Sequence, residues 1–385
     1  MSTDLIYICG LCNYDSRSPI SRCPICGAPM EIHVKRLWSV DKGIPSMWRY
    51  GSMLPKPRSI VSLGEGFTPI RRIGGVVIKD ETRNPTRSYI DRGSSMVASF
   101  LDTKTASLEY IPDVSISLTA YLTSKGIDIS VYISTPITSS SEIIEISRLG
   151  GQIVFESTKP DIRYIGYDNP YMLEGFKTIS YEIYEQLGDA KCISIPAEEG
   201  LLAYSVARGF AILEELGLAE MPGIIVTTSI HRQRLGLQDL LMRIKNVRLE
   251  RVDDQSIVDA IVELSSRGLY IRPISSTSYA ISRRHRECVA IITGSEIKRL
   301  AIRGSSMAGS RYIARTSELQ RRVLDILSRS VGELTAYEIW RRLGNRASLR
   351  GVYTAVEALS RRGFIDVVIE TRGARKVRLY RVRTI

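Results

Sequence analysis

The sequence predicts an α/β protein built on a parallel sheet, with a small cysteine-bearing segment before that body and a basic, mainly helical segment after it. Three observations carry this reading. Short apolar, β-rich runs alternate with amphipathic helical stretches through the middle of the chain. Four of the six cysteines fall within the first 26 residues as two C-x2-C pairs. From Arg315 to Ile385 there are 16 lysines and arginines against 7 acids, so this stretch carries +9 of the chain's net +12. With 385 residues the chain has room for two or three domains, and the composition shifts place the boundaries at 1–45, 46–312 and 313–385. No apolar run reaches the ~18 residues of a membrane span. The N-terminus MSTDLIYICG lacks the basic start and apolar core of a secretory signal. A cytoplasmic, soluble protein without a membrane partner is expected.

The first element is the cysteine segment. Cys9, Cys12, Cys23 and Cys26 form C-x2-C-x10-C-x2-C, the spacing of a zinc ribbon, in which each knuckle places two thiolates ~2.3 Å from one tetrahedral ion. Gly10 and Gly27 flank the knuckles where the chain turns tightly. Two disulfides in a secreted domain is the competing reading, and no signal sequence supports it. Four thiolates leave no open coordination position, so the expected zinc is structural. Cys192 and Cys288 stand alone in the sequence and are expected to be buried core thiols.

The body comes next. ISVYIS (Ile129 to Ser134), QIVFES, CISIP, IIVTT and CVAIIT read as buried parallel strands, being nearly continuous in Val, Ile and other apolar residues. Helical stretches such as Ser141 to Leu149 and Gly175 to Leu187 lie between them. Ordered through this region are MWRYGSMLP (Met47 to Pro55), SLGEGFTPI (Ser62 to Ile70), KDE (Lys79 to Glu81), NPTRSYIDRG (Asn84 to Gly93), NPYMLEGFKTISYEIYEQLG (Asn169 to Gly188) and ITG…K (Ile292 to Lys298). Together with the ribbon these motifs resemble the threonine synthase family. That resemblance implies the architecture of fold-type II pyridoxal phosphate (PLP) enzymes: two α/β lobes with parallel sheets and a cleft between them, commonly dimeric.

At three places the chain departs from what the resemblance implies. The family's NPTGSFKDRG places its Schiff-base lysine where this sequence has Ile90, which has no amine. The family's ring-contacting STGNTSAS aligns with YIPDVSIS, so Pro112 replaces a glycine and Asp113 the asparagine. Proline removes a backbone donor, and an ionised aspartate only accepts. The phosphate-binding PVGNGGN aligns with the run from Pro196, where Glu198 and Glu199 replace the neutral cup and Gly200 is what remains of its glycines. A carboxylate ~4 Å from a phosphate charge costs about 1–4 kcal/mol. PLP is therefore not expected, and the chain is expected not to be an enzyme. GEGFTP, DRG and EGFKT are retained, either for packing alone or around a cleft that takes an amino-acid-like effector.

The last element begins after the linker RGSSMAGSR (Arg303 to Arg311). Ser317 is placed to cap ELQRRVLDILSRS, with Leu319, Val323, Ile326 and Leu327 on one face, and Thr335 to cap AYEIWRRL. Ser348 opens LRGVYTAVEALSRRG, which Gly363 ends. FIDVVIE and VRLYRVR pair across the basic turn TRGARK. Three helices and a hairpin resemble the winged helix-turn-helix. That likeness implies base contacts from Arg346, Arg350, Tyr353 and Thr354, and phosphate contacts from Arg372, Arg375 and Lys376. A solvated arginine-rich surface competes, since the whole chain holds 41 arginines against 12 lysines. The functional expectation is a DNA-binding transcriptional regulator, a homodimer on a catalytically dead threonine synthase-like scaffold. The alternatives are a PLP-dependent threonine synthase or related lyase, and an architectural or assembly protein.

Overall fold

A computed structural model describes residues 5–133, 140–155, 165–296, 317–328, 330, 332–344, 347–361, 365–372 and 375–382. In chain order the strands and helices are β1 (Tyr7–Cys9), β2 (Asp15–Ser16), β3 (Met30–Ile32), β4 (Ile70–Ile73), β5 (Val76–Asp80), α1 (Ile90–Phe100), β6 (Thr105–Glu109), α2 (Val114–Ser124), β7 (Asp128–Tyr132), α3 (Ser140–Arg148), β8 (Gln152–Val154) and α4 (Pro170–Leu187). They continue with β9 (Cys192–Pro196), α5 (Leu201–Glu215), β10 (Gly223–Ser229), α6 (Gln238–Leu241), β11 (Val247–Val252), α7 (Asp254–Ser266), α8 (Pro273–Arg284) and β12 (Cys288–Ile292). The C-terminal elements are α9 (Glu318–Ser328), β13 (Leu334–Thr335), α10 (Ala336–Arg342), α11 (Leu349–Arg361), β14 (Ile365–Arg372) and β15 (Arg375–Val382). They fall into two compact units, residues 1–104, 113–127 and 164–303, and residues 105–112, 128–163 and 304–385.

The first unit holds a six-stranded sheet in the order β11-β10-β9-β12-β5-β4. The first five strands run parallel, and β4 closes the edge antiparallel to β5. The central strands CISIP and CVAII are buried at every position, as continuous apolar runs require when helices cover both faces. The outer strand β11 reads VRLERV, and its charged residues blunt an exposed edge. Helix ends follow the sequence signals. Asn169 Oδ1 accepts from Tyr171 N–H at 2.9 Å with Pro170 at the first helical position of α4, and Asp253 accepts from Ser256 N–H at 2.8 Å to start α7. Ile78, Ile225, Leu264, Ile281 and Ile292 pack into one core between the sheet and α7–α8.

The expectation for two cysteines is corrected here. Cys192 and Cys288 are not free thiols; they face each other in register on neighbouring strands β9 and β12 and form a buried disulfide. They lie 96 residues apart, and the crossover that sets β12 beside β9 brings them together.

The N-terminal segment belongs to the same unit. Its strands pair antiparallel in the order β2-β1-β3 around Tyr7, Ala28, Met30 and Ile32. A buried polar network attaches it to the helices behind. Lys177 Nζ lies 2.6 Å from Glu31 Oε2 and 2.8 Å from Glu174 Oε1, and Arg208 Nε lies 2.7 Å from Glu31 Oε1. Burial alone would raise the Glu31 carboxyl, but Lys177 and Arg208 outweigh it and hold it at about 2.

In the second unit β6, β7 and β8 form a parallel sheet. The C-terminal helices pack Val323, Leu327, Ile339, Val352, Val356 and Leu359 together, against Leu334, Ile365 and Tyr380 of a three-stranded antiparallel sheet ordered β13-β15-β14. Thr335 and Glu338 form a reciprocal capping box at α10. The hairpin pairs Arg372 with Arg375 across its turn. The two-residue strand β13 was not anticipated, because two residues give no periodicity. The linker 303–311, Arg346 and Gly363 lie outside the described residues. No described helix is long and apolar enough to cross a membrane.

Candidate functional site

The site forms where the chain enters α1, in the run NPTRSYIDRG. Asn84 sets its start: Oδ1 accepts from Gly66 N–H at 2.8 Å, and Nδ2 donates to Glu81 Oε2 at 2.8 Å. Asp91 then folds the segment back, its carboxylate accepting from Thr86 N–H at 2.6 Å and Ser117 Oγ at 2.6 Å. Burial pushes that carboxyl up to about 7 against these donors. Residues 87–89 lie antiparallel to the segment after β12, with Tyr89 N–H on Thr293 O at 2.9 Å and Ser295 N–H on Arg87 O at 3.0 Å. Ile90, the first residue of α1, is 2% exposed.

The retained motifs anchor this helix start. Arg92 is fully buried and forked onto two carboxylates: Nε and Nη2 reach Glu81 at 2.7 Å each, and Nη1 and Nη2 reach Glu182 at 2.6 and 2.8 Å. Lys79 Nζ meets Glu182 at 2.7 Å. Glu65 of GEGFTP accepts from Tyr121 Oη at 2.9 Å. The glycines of DRG and EGFKT let α1 and α4 touch. A Cβ on Gly175 would stand 2.3 Å from Arg92 O, and one on Gly93 would stand 2.3 Å from Met172 Sδ. KDE, DRG and EGFKT therefore hold the frame behind Ile90, and among the described residues the buried lysines, Lys79 and Lys177, are both ion-paired.

The front of the site is polar. Asp113 caps α2 with φ +65 and is 8% exposed. Its Oδ1 lies 3.1 Å from Arg272 Nη2 at the start of α8. A Cβ on Gly294 would lie 3.4 Å from Asp113 Oδ2 and 3.7 Å from Ser88 Oγ, so these groups converge. Tyr89 and Tyr167 share a hydrogen bond at 2.6 Å. Burial raises both phenols, and Glu198 adds to the rise in each. Pro112 is half-buried, just ahead of Asp113.

The structure revises the phosphate cup. Glu198 and Glu199 are both exposed, and Glu199 is ion-paired with Arg232, so its charge is met by a protein cation. Gly200 caps α5 with φ +98, a conformation that favours glycine. Arg272 and Tyr167 were missed from the sequence. The Arg-Pro pair at 272–273 marks a helix start, but nothing local shows that the arginine reaches Asp113.

Elsewhere, the sulfurs of Cys9, Cys12, Cys23 and Cys26 lie within 4.8 Å of one another, with Cys9–Cys26 at 3.4 Å and Cys12–Cys23 at 3.5 Å. A zinc tetrathiolate with bonds of ~2.3 Å has edges of about 3.8 Å, so the cluster is close to the right size. In the C-terminal segment Arg350, Tyr353 and Thr354 are exposed on α11. The side chains of Arg372, Arg375 and Lys376 lie outside the described residues.

A family model described as "Pyridoxal-phosphate dependent enzyme" matches residues 61–294. The threonine synthase of Methanosarcina acetivorans is 27% identical over 205 residues, 46% of this chain and 50% of that relative, so the chain spans about half its length. The threonine synthase of Methanocaldococcus jannaschii is 26% identical over 325 residues, 66% of this chain and 80% of that relative. Among solved structures, the serine racemase of Dictyostelium discoideum aligns with a TM-score of 0.52 at 16% identity, covering 60% of this chain and 92% of that one. An O-acetylserine dependent cystathionine beta-synthase from Helicobacter pylori aligns with a TM-score of 0.50 at 16% identity, covering 61% and 94%. At such identities the structures show a shared fold alone. These matches overturn the expectation of a DNA-binding regulator that is not an enzyme. The family model and the relatives are those of enzymes, and they favour the alternative related to threonine synthase. A family described by its dependence on PLP also counts in part against the expectation that this chain does not take the cofactor.

Proposed function

Because the chain belongs to the family of pyridoxal-phosphate dependent enzymes, we propose that its body is a threonine synthase-related unit that takes a small oxygen-bearing amino acid in front of α1. The observation that supports this most is the buried frame of Arg92, Glu81, Glu182 and Lys79, which fixes the helix start within the matched region. Ser88, Asp113, Arg272 and the Tyr89–Tyr167 pair supply hydroxyl, carboxylate and guanidinium groups there. The side chains at this helix start do not fit covalent attachment of PLP. Ile90 offers only hydrocarbon where the family resemblance puts an amine, so no step through the cofactor is derived. The test is calorimetry and thermal melting with L-threonine, L-homoserine and O-phospho-L-homoserine, with and without PLP, alongside an assay for threonine formation. A ligand at 100 times its Kd should stabilise the protein by about 2.7 kcal/mol. No heat and no shift with any of the three would sink the proposal.

The tetrathiolate cluster is proposed to hold one structural zinc. Cys9, Cys12, Cys23 and Cys26 should give a stoichiometry of one zinc per chain in elemental analysis, and Cys12→Ser should lose the metal and open the N-terminal segment to protease. Zinc retained at full stoichiometry in that variant would place the metal elsewhere. The C-terminal elements are proposed to be a winged helix, from the order helix, strand, helix, helix, hairpin.

A further inference from the structure

We propose that the metal of the four-cysteine cluster latches the N-terminal segment onto α4, so that metal occupancy sets the order of α4 and of the Arg92 frame it carries. The proposal rests on the reading that Cys9, Cys12, Cys23 and Cys26 hold one zinc. Three observations carry it. First, Gly10, inside the knuckle between Cys9 and Cys12, abuts buried charges: a Cβ there would collide with Glu31 Oε1 and stand 2.6 Å from Arg208 Nε. The Gly10 backbone is not in the left-handed region, so this close approach is what requires glycine. Second, Glu31 sits on β3, whose Met30 pairs with Cys9 of β1, and its carboxylate serves two body helices. It meets Lys177 of α4 at 2.6 Å and Arg208 of α5 at 2.7 Å, and it accepts from Tyr204 Oη at 3.2 Å. Third, Glu174 of α4 accepts from Ile32 N–H at 3.0 Å and meets Arg36 at 3.1 Å. β3 and the residues just after it thus supply α4 with both an anion and donors.

The partners that would remain are too few to hold those charges if the segment opens. Lys177 keeps Glu174 at 2.8 Å, Arg208 keeps Glu215, an exposed acid at 3.8 Å, and Tyr204 Oη loses Glu31. The segment buries little of its own, with Tyr7, Cys9, Cys23, Ala28, Met30 and Ile32 at its core. Chains below about 40 residues usually need a metal or a disulfide to stay folded. A bound metal fixes both knuckles, and with them Gly10, β1, β3 and Glu31. Without it, α4 must either keep a half-paired buried charge or move to admit water, and removing one partner is the costly way to break a buried pair. α4 passes the change on. Thr178 Oγ1 accepts from Arg92 Nη1 at 2.9 Å, and Glu182 on the same helix meets Arg92 at 2.6 Å. α5 follows, because Ser180 Oγ donates to Val206 O at 2.8 Å.

The experiment follows hydrogen exchange by mass spectrometry on the full chain, zinc-loaded and chelator-stripped. The protein is kept anaerobic so that freed thiols stay reduced, and zinc content is read by elemental analysis. Stripping should speed exchange in the N-terminal segment and also, by about tenfold or more, in peptides from α4. Glu31→Gln should keep its zinc, and because the link is already weakened its α4 response to stripping should fall to about threefold or less. Gly10→Ala keeps all four cysteines but crowds Glu31 and Arg208, so with zinc bound it should speed α4 exchange by about threefold or more. Loss of zinc with α4 exchange unchanged would overturn the latch and leave the metal reading standing, as would a Glu31→Gln response equal to that of wild type. A chain that takes up no zinc would overturn both, and elemental analysis shows that apart from any exchange data. Should the stripped protein aggregate, zinc-bound Gly10→Ala decides the matter: α4 exchange equal to that of wild type would overturn the latch.

Discussion

Glu182→Ala should strongly destabilise the first unit. Glu182 is fully buried and carries three jobs. It accepts from Arg92 at 2.6 and 2.8 Å, meets Lys79 at 2.7 Å, and caps the backbone N–H groups of Phe67 and Thr68 behind the GEGFTP turn. Alanine would leave Arg92 with Glu81 as its paired carboxylate, take from buried Lys79 the carboxylate it is paired with, and leave two backbone donors unmet. Removing one partner of a buried pair costs about 3–5 kcal/mol, against a total stability of about 5–15 kcal/mol for a domain. Chemical denaturation should show a midpoint shifted by that amount or no folded baseline at all. Glu182→Gln, which keeps an acceptor but not the charge, should fall between alanine and wild type. Equal stability of wild type and Glu182→Ala would mean that Arg92 and Lys79 are hydrated. Acid gives a second readout. Burial alone would raise this carboxyl, but Arg92 and Lys79 outweigh it and lower it to about 2. A depressed folded value means that the stability is present above the ordinary value of 4.5 and is lost as pH falls from there toward 2. Melts between pH 5 and pH 3 should therefore steepen with acid in wild type and less so in Glu182→Gln.

How much of this was legible beforehand differs by element. The central strands were readable because burial on both faces writes continuous apolar runs, as in CISIP and CVAII. Thr335 announced its helix through local chemistry, a side-chain oxygen within three residues of an orphan N–H, whereas α4 was read only from Gly175 although Asn169 caps it at Pro170. The four-cysteine cluster was readable because its cysteines are neighbours in sequence. What stayed hidden depends on contacts between distant segments. Arg272 reaches Asp113 from 159 residues away in sequence, and Glu31 reaches Lys177 across 146. Glu199 was weighed as a bare charge, and its partner Arg232 lies on a loop without periodicity. The functional inference failed for a different reason. It gave Ile90 and the charge of the last 71 residues more weight than the retained motifs, whereas the family match rests on the whole of residues 61–294.

The disulfide between Cys192 and Cys288 should be present in protein purified without reductant, and removing it should have the second large effect. It joins adjacent parallel strands at the centre of the six-stranded sheet and closes a loop that spans β9 to β12, with 96 residues of separation. A cross-link over about 100 residues is worth up to about 4.7 kcal/mol in the chain-entropy model, and native bridges typically contribute about 2–5 kcal/mol. Cys192→Ala/Cys288→Ala should therefore melt well below wild type, at roughly 2–4 °C per kcal/mol for a body of this size. Alanine is the better probe than serine, since a hydroxyl between these buried strands would add an unmet polar group. Thiol titration separates this bridge from the ribbon. In denaturant with a chelator and no reductant, wild type should expose four thiols, those of Cys9, Cys12, Cys23 and Cys26. Six would mean that Cys192 and Cys288 are the buried thiols their isolation in sequence suggested. In the native state the bridge should resist mild reductant, because both cysteines are buried and a thiolate must reach the sulfur to attack it. A disulfide is uncommon in reducing compartments outside hyperthermophiles, so four free thiols beside one intact bridge would also constrain where this protein folds. Metal would then protect the ribbon thiols, and burial would protect the bridge.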